Sequence, residues 1–302
     1  MLFTLLCGII CMLAVPDTAL AWGGGIHLQT GLTVLNSLEG LPGQIAAVLA
    51  AHPRDYLYGC IAADITIGKK YTHYLLNCHR WGIGEKVLAK AASDSERACA
   101  WGYLSHLAAD VIAHNYYVPC KLMRSFPTVT MKHAYWEMRF ETFADKAVWD
   151  TAREVCRAGQ GGNDALLRRV LANTIFSFGT NKRIFNSIML LSRLEKWQKV
   201  MQTLSTRSRY ILADSDRDEY LRLTEAAVFD FLREGADAVC RRADPTGERA
   251  LLAAEAMRKN MRLLYRSGRL SREDGLEQVE KYKGRLLEAL ERPEVLKELY
   301  NG

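Results

Sequence analysis

An all-α fold is predicted by three features of this 302-residue chain. Apolar residues recur at three- and four-residue spacing almost throughout, and nothing after residue 22 alternates with the period of two that a half-buried strand requires. Helix start and stop signals bracket these periodic runs. The residues best suited to chemistry also recur every four positions: His106, Asp110 and His114 in LSHLAADVIAHNYYVP, then His133 and Glu137 in KHAYWEMRFE. Four residues advance a helix by about 400°, so the members of each set share one helical face.

Taken in order, residues 1–21 read as a signal peptide, with the apolar run LFTLLCGIICMLAV ahead of Ala19-Leu20-Ala21, a small-x-small cleavage pattern. No Lys or Arg precedes Arg54, and neither Cys7 nor Cys11 lies in a lipoprotein box. The expectation is cleavage after Ala21 and an exported chain, secreted or periplasmic. Gly23, Gly24 and Gly25 then read as a flexible linker or turn. Helices are expected over 28–38, 43–51, 54–64, 84–92, 94–117, 129–149, 164–177, 181–204, 216–241, 246–266, 271–290 and 292–299. Ser93 and Glu96 have capping-box spacing at the start of the 94–117 helix, and Pro119 is expected to end it. The run Ala158-Gly-Gln-Gly-Gly162 reads as a loop dividing residues 22–157, which hold all seven histidines, from a C-terminal helical extension over 158–302. That extension is read as either a second subdomain or a helical cover on the first.

Composition excludes several classes. At 49% hydrophobic and 25% charged residues the chain can bury a full core, which rules out disorder. Removal of residues 1–21 takes away one charge, Asp17, and leaves a chain only slightly more basic than its formal +6; the excess lies mostly in the C-terminal half and reads as solvated helix surface. No segment after the signal peptide is apolar enough to span a bilayer. The absence of C-x-x-C excludes thiolate zinc sites and thioredoxin chemistry, while Cys60, Cys78, Cys99, Cys120, Cys156 and Cys240 are read as buried thiols or as one or two disulfides.

The imidazole and carboxylate stripes imply more than one metal ion. Along a helix His106 and His114 lie about 12 Å apart, too far to share one ion through bonds of about 2.0–2.2 Å. Cleavage after Ala21 would add a further donor, because the α-amine and carbonyl of Trp22 can form a five-membered chelate. The amine, with a reference pKa of about 7.7–8.0, deprotonates readily beside a metal.

In order and type, the set Trp22, His27, Asp64, His79, His106, Asp110, His114, His133 and Glu137 resembles the zinc-dependent phospholipase C family and its S1/P1 nuclease relatives. The resemblance implies a multi-helix phospholipase C/P1 nuclease-like bundle, here with additional C-terminal helices, and three zinc ions in a cleft. By carry-over, Asp64, His79, His106 and Asp110 hold one zinc, and the Trp22 amine and carbonyl, His27 and Asp110 hold its close neighbour. His114, His133 and Glu137 hold the third. His79 is preferred to His73 because its distance from Asp64 resembles the family spacing. Asp64 is the expected general base as well as a ligand.

Three zinc ions against Asp64, Asp110 and Glu137 leave a formal site charge near +3, which suits a phosphodiester. The expected activity is phospholipase C-like hydrolysis of an extracytoplasmic phospholipid or related phosphate ester, with peripheral membrane-surface contact and no obligate protein partner. An S1/P1-like single-strand nuclease or nucleotidase is the alternative; nucleic acid is the weaker expectation because the basic excess is remote from the ligand segments. A non-catalytic zinc-binding envelope protein is the third reading. Trp81, Trp101, Tyr103, Tyr116, Tyr117, Tyr135 and Trp136, which flank the ligand segments, are expected mainly as packing.

Overall fold

The computed structural model describes residues 23–66, 77–128, 133–171, 176–192, 199, 203, 210 and 212–296. Among them there is no strand. The helices are α1 (Gly24–Leu35), α2 (Gly43–Ala51), α3 (Pro53–Ala62), α4 (Trp81–Ala89), α5 (Asp94–Ile112), α6 (Val118–Arg124), α7 (His133–Glu141), α8 (Val148–Arg157), α9 (Gly161–Val170), α10 (Phe178–Ser192), α11 (Asp214–Glu234), α12 (Glu248–Arg266) and α13 (Arg272–Glu291).

α5 is the axis of the molecule. Fifteen of its nineteen residues are buried, so it has no solvent face, and α3, α4 and α11 pack around it. Its start follows the capping signal: the Ser93 hydroxyl accepts the Glu96 N–H at 3.2 Å, and the Glu96 carboxylate accepts the Ala92 N–H at 2.7 Å. The small residues Ala98, Cys99, Gly102 and Ser105 allow α3 to approach closely. A Cβ on Gly59 of α3 would lie 2.0 Å from the Cys99 carbonyl oxygen, and one on Gly102 would lie 2.0 Å from that of Tyr56. The two helices therefore touch backbone to backbone.

Three expectations are corrected. The segment Gly23–Gly25 is not a linker: α1 begins at Gly24, and each glycine is tightly packed, Gly23 and Gly25 against Glu141 and Gly24 against Met189. The helix expected over 129–149 is broken between α7 and α8. There the backbone tightens to three-residue bonds, Phe143 N–H to the Phe140 carbonyl at 2.9 Å and Ala144 N–H to that of Glu141 at 3.1 Å, and the Asp145 N–H goes instead to the Gln29 side chain of α1 at 2.9 Å. Pro119 does not end the helical path. Lacking an N–H, it cannot extend the α5 ladder, and the chain passes through a π-helical turn, Ala113–Tyr117, before resuming as α6 with Pro119 in its first turn.

The helices of the C-terminal half pack against those before them. α11 packs on α5, with Phe231 stacked on Trp81 at 5.5 Å, while α12 and α13 pack on α6 and the π-turn. Tyr103, Tyr116, Tyr117 and Trp136 are fully buried, in keeping with a packing role. No disulfide joins the described cysteines. Burial pushes the Cys60, Cys120 and Cys240 thiols up to about 12, which leaves them protonated and unreactive. Among the described residues no helix is long and apolar enough to cross a membrane.

Candidate metal centre

Five nominated residues converge from four places in the chain. His27 lies one turn into α1, Asp64 on the 3-10 turn Ala63–Ile65 after α3, His79 just before α4, and His106 and Asp110 one turn apart on α5. Asp110 is fully buried at their centre. Its Oδ1 lies 3.3 Å from His27 Nε2, and its Oδ2 lies 3.3 Å from His79 Nε2 and 3.2 Å from His106 Nε2. Asp64 Oδ1 is 3.2 Å from His79 Nε2 and 4.0 Å from His106 Nε2. The His27 and His106 rings stack with centroids 3.7 Å apart.

Outer hydrogen bonds aim these rings. His106 Nδ1 donates to the Cys60 carbonyl at 2.8 Å, which leaves the Nε2 lone pair turned toward Asp110. The segment carrying His79 is tied down by the Tyr103 hydroxyl, which donates to the Cys78 carbonyl at 2.5 Å, and by Asn77, whose side-chain oxygen accepts the His79 N–H at 3.0 Å.

The second group is His114 on the π-turn with His133 and Glu137 on α7. Glu137 Oε1 lies 2.5 Å from His133 Nε2 and 3.5 Å from His114 Nε2, and the two rings meet edge to face at 5.3 Å. His114 Nδ1 donates to the Pro245 carbonyl at 2.6 Å. The π-turn widens the helical repeat after Ile112, so His114 leaves the His106/Asp110 face and turns to α7.

The electrostatics are those of donors held together at a cost. Burial works against the Asp110 carboxylate, yet the His106, His27 and His79 rings outweigh it and hold its pKa well below the carboxylate range. Burial, with repulsion from His106, lowers the His27 pKa. At His106 burial is overcome by Asp110 and Asp64, and the pKa is raised. Burial pushes Glu137 up to about 8.

The donor set fits zinc. Both ring nitrogens of His27, both carboxylate oxygens of Asp110 and of Glu137, and His114 Nε2 are buried without a hydrogen-bond partner, a costly condition for polar atoms that have no further role. Four ligands at about 2.0 Å in tetrahedral array stand about 3.3 Å from one another. The N···O separations of 3.2–3.3 Å around Asp110 match that edge length. Within the described residues, the donor atoms of His27, Asp64 and His106, of His79, His106 and Asp110, and of His114, His133 and Glu137 each lie within 4.8 Å of one another. Trp22 and His73 lie outside the described residues, as does the segment read as a signal peptide.

One residue of this region escaped the sequence reading. Glu141, four residues beyond Glu137 on α7, accepts the Gly25 N–H at 2.7 Å and the Ile26 N–H at 3.3 Å, and so caps the helix that carries His27. Its continuation of the His133/Glu137 spacing was the available signal. Burial pushes Glu141 up to about 7 from an ordinary 4.5. Because the folded value lies above the unfolded one, its stabilising contribution is complete below about pH 4.5 and is lost as the pH rises through about 7. In the metal-free protein, Glu141→Gln is expected to flatten that part of the stability profile. Glu141→Ala strips two N–H groups of their acceptor and should lower stability by about 1–3 kcal/mol. Melting curves from pH 4 to 8 check both expectations.

An all-helical frame that gathers buried imidazoles and carboxylates into two groups defines a helical protein with candidate metal centres. The model of the zinc-dependent phospholipase C family matches residues 26–177, half of the chain, and the chain belongs to that family. No curated protein and no solved structure matches it.

Proposed function

We propose that this chain is a zinc-dependent phosphodiester hydrolase of phospholipase C type, acting outside the cytoplasm on a phospholipid or related phosphate ester. The observation that carries this reading is the Asp110 carboxylate, fully buried, with three imidazole nitrogens at 3.2–3.3 Å and no hydrogen bond to either oxygen. Such an arrangement has a physical rationale as a bridge between two cations. Family membership supports zinc as the cation.

His79, His106, Asp64 and Asp110 would hold one ion and His27 with Asp110 its neighbour; His114, His133 and Glu137 would hold another. In a chain cut after Ala21, the amine and carbonyl of Trp22, the residue before Gly23 in sequence, would complete the His27 site. Bound zinc supplies a Lewis acid that activates water near neutral pH and stabilises charge on phosphate. Asp64 would accept a proton from water at its carboxylate. The Cys60 and Pro245 carbonyls accept the Nδ1 protons of His106 and His114, which would leave Nε2 of each ring to hold an ion.

The test is a substrate panel of phospholipid vesicles, single-stranded DNA and a chromogenic phosphodiester, run with chelator and after zinc is restored. Chelator-sensitive release of a phosphorylated headgroup is the expected result. Cleavage of DNA alone would move the chain to the nuclease reading. No hydrolysis of any substrate with all sites filled would make it a zinc-binding protein without this activity.

A further inference from the structure

The link between α11 and α12 lies far beyond the family match, yet it closes over the second group of candidate ligands. Three consecutive carbonyls of this link accept from side chains inside the matched region. Ala243 takes the Trp81 indole N–H at 2.9 Å, Asp244 the Asn115 amide at 2.8 Å, and Pro245 the His114 Nδ1–H at 2.6 Å. The link is itself a tight turn. The Asp244 side chain accepts the Thr246 N–H at 3.1 Å, and the Asp244 carbonyl accepts that of Gly247 at 2.9 Å. Arg241, just upstream, lies 4.6 Å over the Trp81 ring and pairs with Glu85.

Gly247 is the point of closest approach. It has φ +58, where a side chain is disfavoured, and a Cβ there would lie 2.4 Å from both the Cβ and the carbonyl oxygen of His114. Pro245 and Gly247 are buried.

We infer that residues 243–247 form a positioning strap for His114, through which the C-terminal half fixes that ring's tautomer and orientation and so completes the His114/His133/Glu137 group. A carbonyl can only accept, so the Pro245 contact requires the proton on Nδ1 and leaves the Nε2 lone pair facing Glu137, 3.5 Å away. Trp81 and Asn115 hold the strap at the two preceding carbonyls, so the Pro245 oxygen cannot drift without breaking bonds on the same five-residue turn. The strap is a property of the polypeptide alone; its consequence for metal uptake rests on the zinc reading above.

Two measurements separate the strap from that reading. In zinc-free, nitrogen-15-labelled full-length protein, the His114 ring is expected as the Nδ1–H tautomer; an Nε2–H tautomer overturns the strap whatever the metal content. Zinc titration of Gly247→Ala is then compared with Gly235→Ala, a glycine of the same φ with nothing within 4 Å of its would-be Cβ. Gly247→Ala is expected to bind one ion about 10- to 100-fold more weakly while the others are unchanged, and Gly235→Ala to match the wild type. Trp81→Phe, which keeps the ring and removes the donor, gives a milder loss at the same ion if Gly247→Ala does not fold. Wild-type affinity for every ion in Gly247→Ala or Trp81→Phe, or an equal loss in Gly235→Ala, overturns the strap. A wild-type chain that takes no ion at His114 but shows the Nδ1–H tautomer overturns the zinc reading of that group and supports the strap.

Discussion

Asp110→Asn is expected to lose two zinc ions per chain relative to the wild type and nearly all hydrolytic activity, while the helical fold persists. Asparagine keeps the shape of the buried side chain, so the packing of α5 is undisturbed. It has no charge and cannot present two anionic oxygens, one toward His27 and the other toward His79 and His106. Metal-derived stabilisation of the transition state is worth several kcal/mol, and each 1.36 kcal/mol is tenfold in rate, so the fall should be about a thousandfold or more. An ion held by His114, His133 and Glu137 would have no donor in common with the Asp110 group and should remain. Metal analysis by mass spectrometry beside a turnover assay reads both quantities. Full zinc content with full activity would remove Asp110 from the centre of the chemistry.

The largest effect on stability is expected from Gly102→Ala. The added methyl would sit 2.0 Å from the Tyr56 carbonyl oxygen, 2.8 Å from the Cys60 nitrogen and 2.9 Å from Gly59 Cα, all backbone atoms that no rotamer change can move aside. α3 and α5 must separate, and a loss of about 3 kcal/mol or more in urea denaturation is expected, at or above the upper end of the usual overpacking cost. Separation also lengthens the 2.8 Å bond from His106 to the Cys60 carbonyl, so the metal site should weaken with the fold. Gly284→Ala is the control. It lies mid-way along α13 with nothing within 4 Å, and should instead stabilise by about 0.5–1 kcal/mol. Equal effects at the two positions would mean that the helix crossing tolerates more space than its geometry implies.

The helices were legible because their information is periodic. The expected starts at 43, 54, 84, 94, 164, 181, 216, 246 and 271 each fall within three residues of an observed helix. The grouping of the candidate ligands followed for the same reason: His106 with Asp110, and His133 with Glu137, lie one turn apart on helices that the apolar pattern already placed. What escaped was tertiary in origin. The glycines before His27 resemble a linker in isolation and become helix only because the Glu141 carboxylate, more than a hundred positions away, supplies the missing N-terminal acceptor. The break after Glu141 depends on Gln29 of α1, and the support of His114 comes from a backbone carbonyl, which has no sequence signature. Proline was misread because its cost is local, whereas a change of hydrogen-bond register lets the helical path go on through it.

That change of register has a consequence for how the two groups can vary. A π-turn is one residue of phase inserted into an otherwise regular screw, so the offset between the Asp110 and His114 directions is stored in the backbone rather than in any side chain. Substitutions at the ligands can alter how firmly each group grips an ion, but they cannot redirect one group relative to the other. Deleting a single residue between His114 and Tyr117 would let the turn close into regular α-helix, keeping α6 in phase with α5 but returning His114 toward the His106/Asp110 face. The extra residue of the turn thus aims His114 at α7 while α6 still meets α12 and α13 in phase with α5.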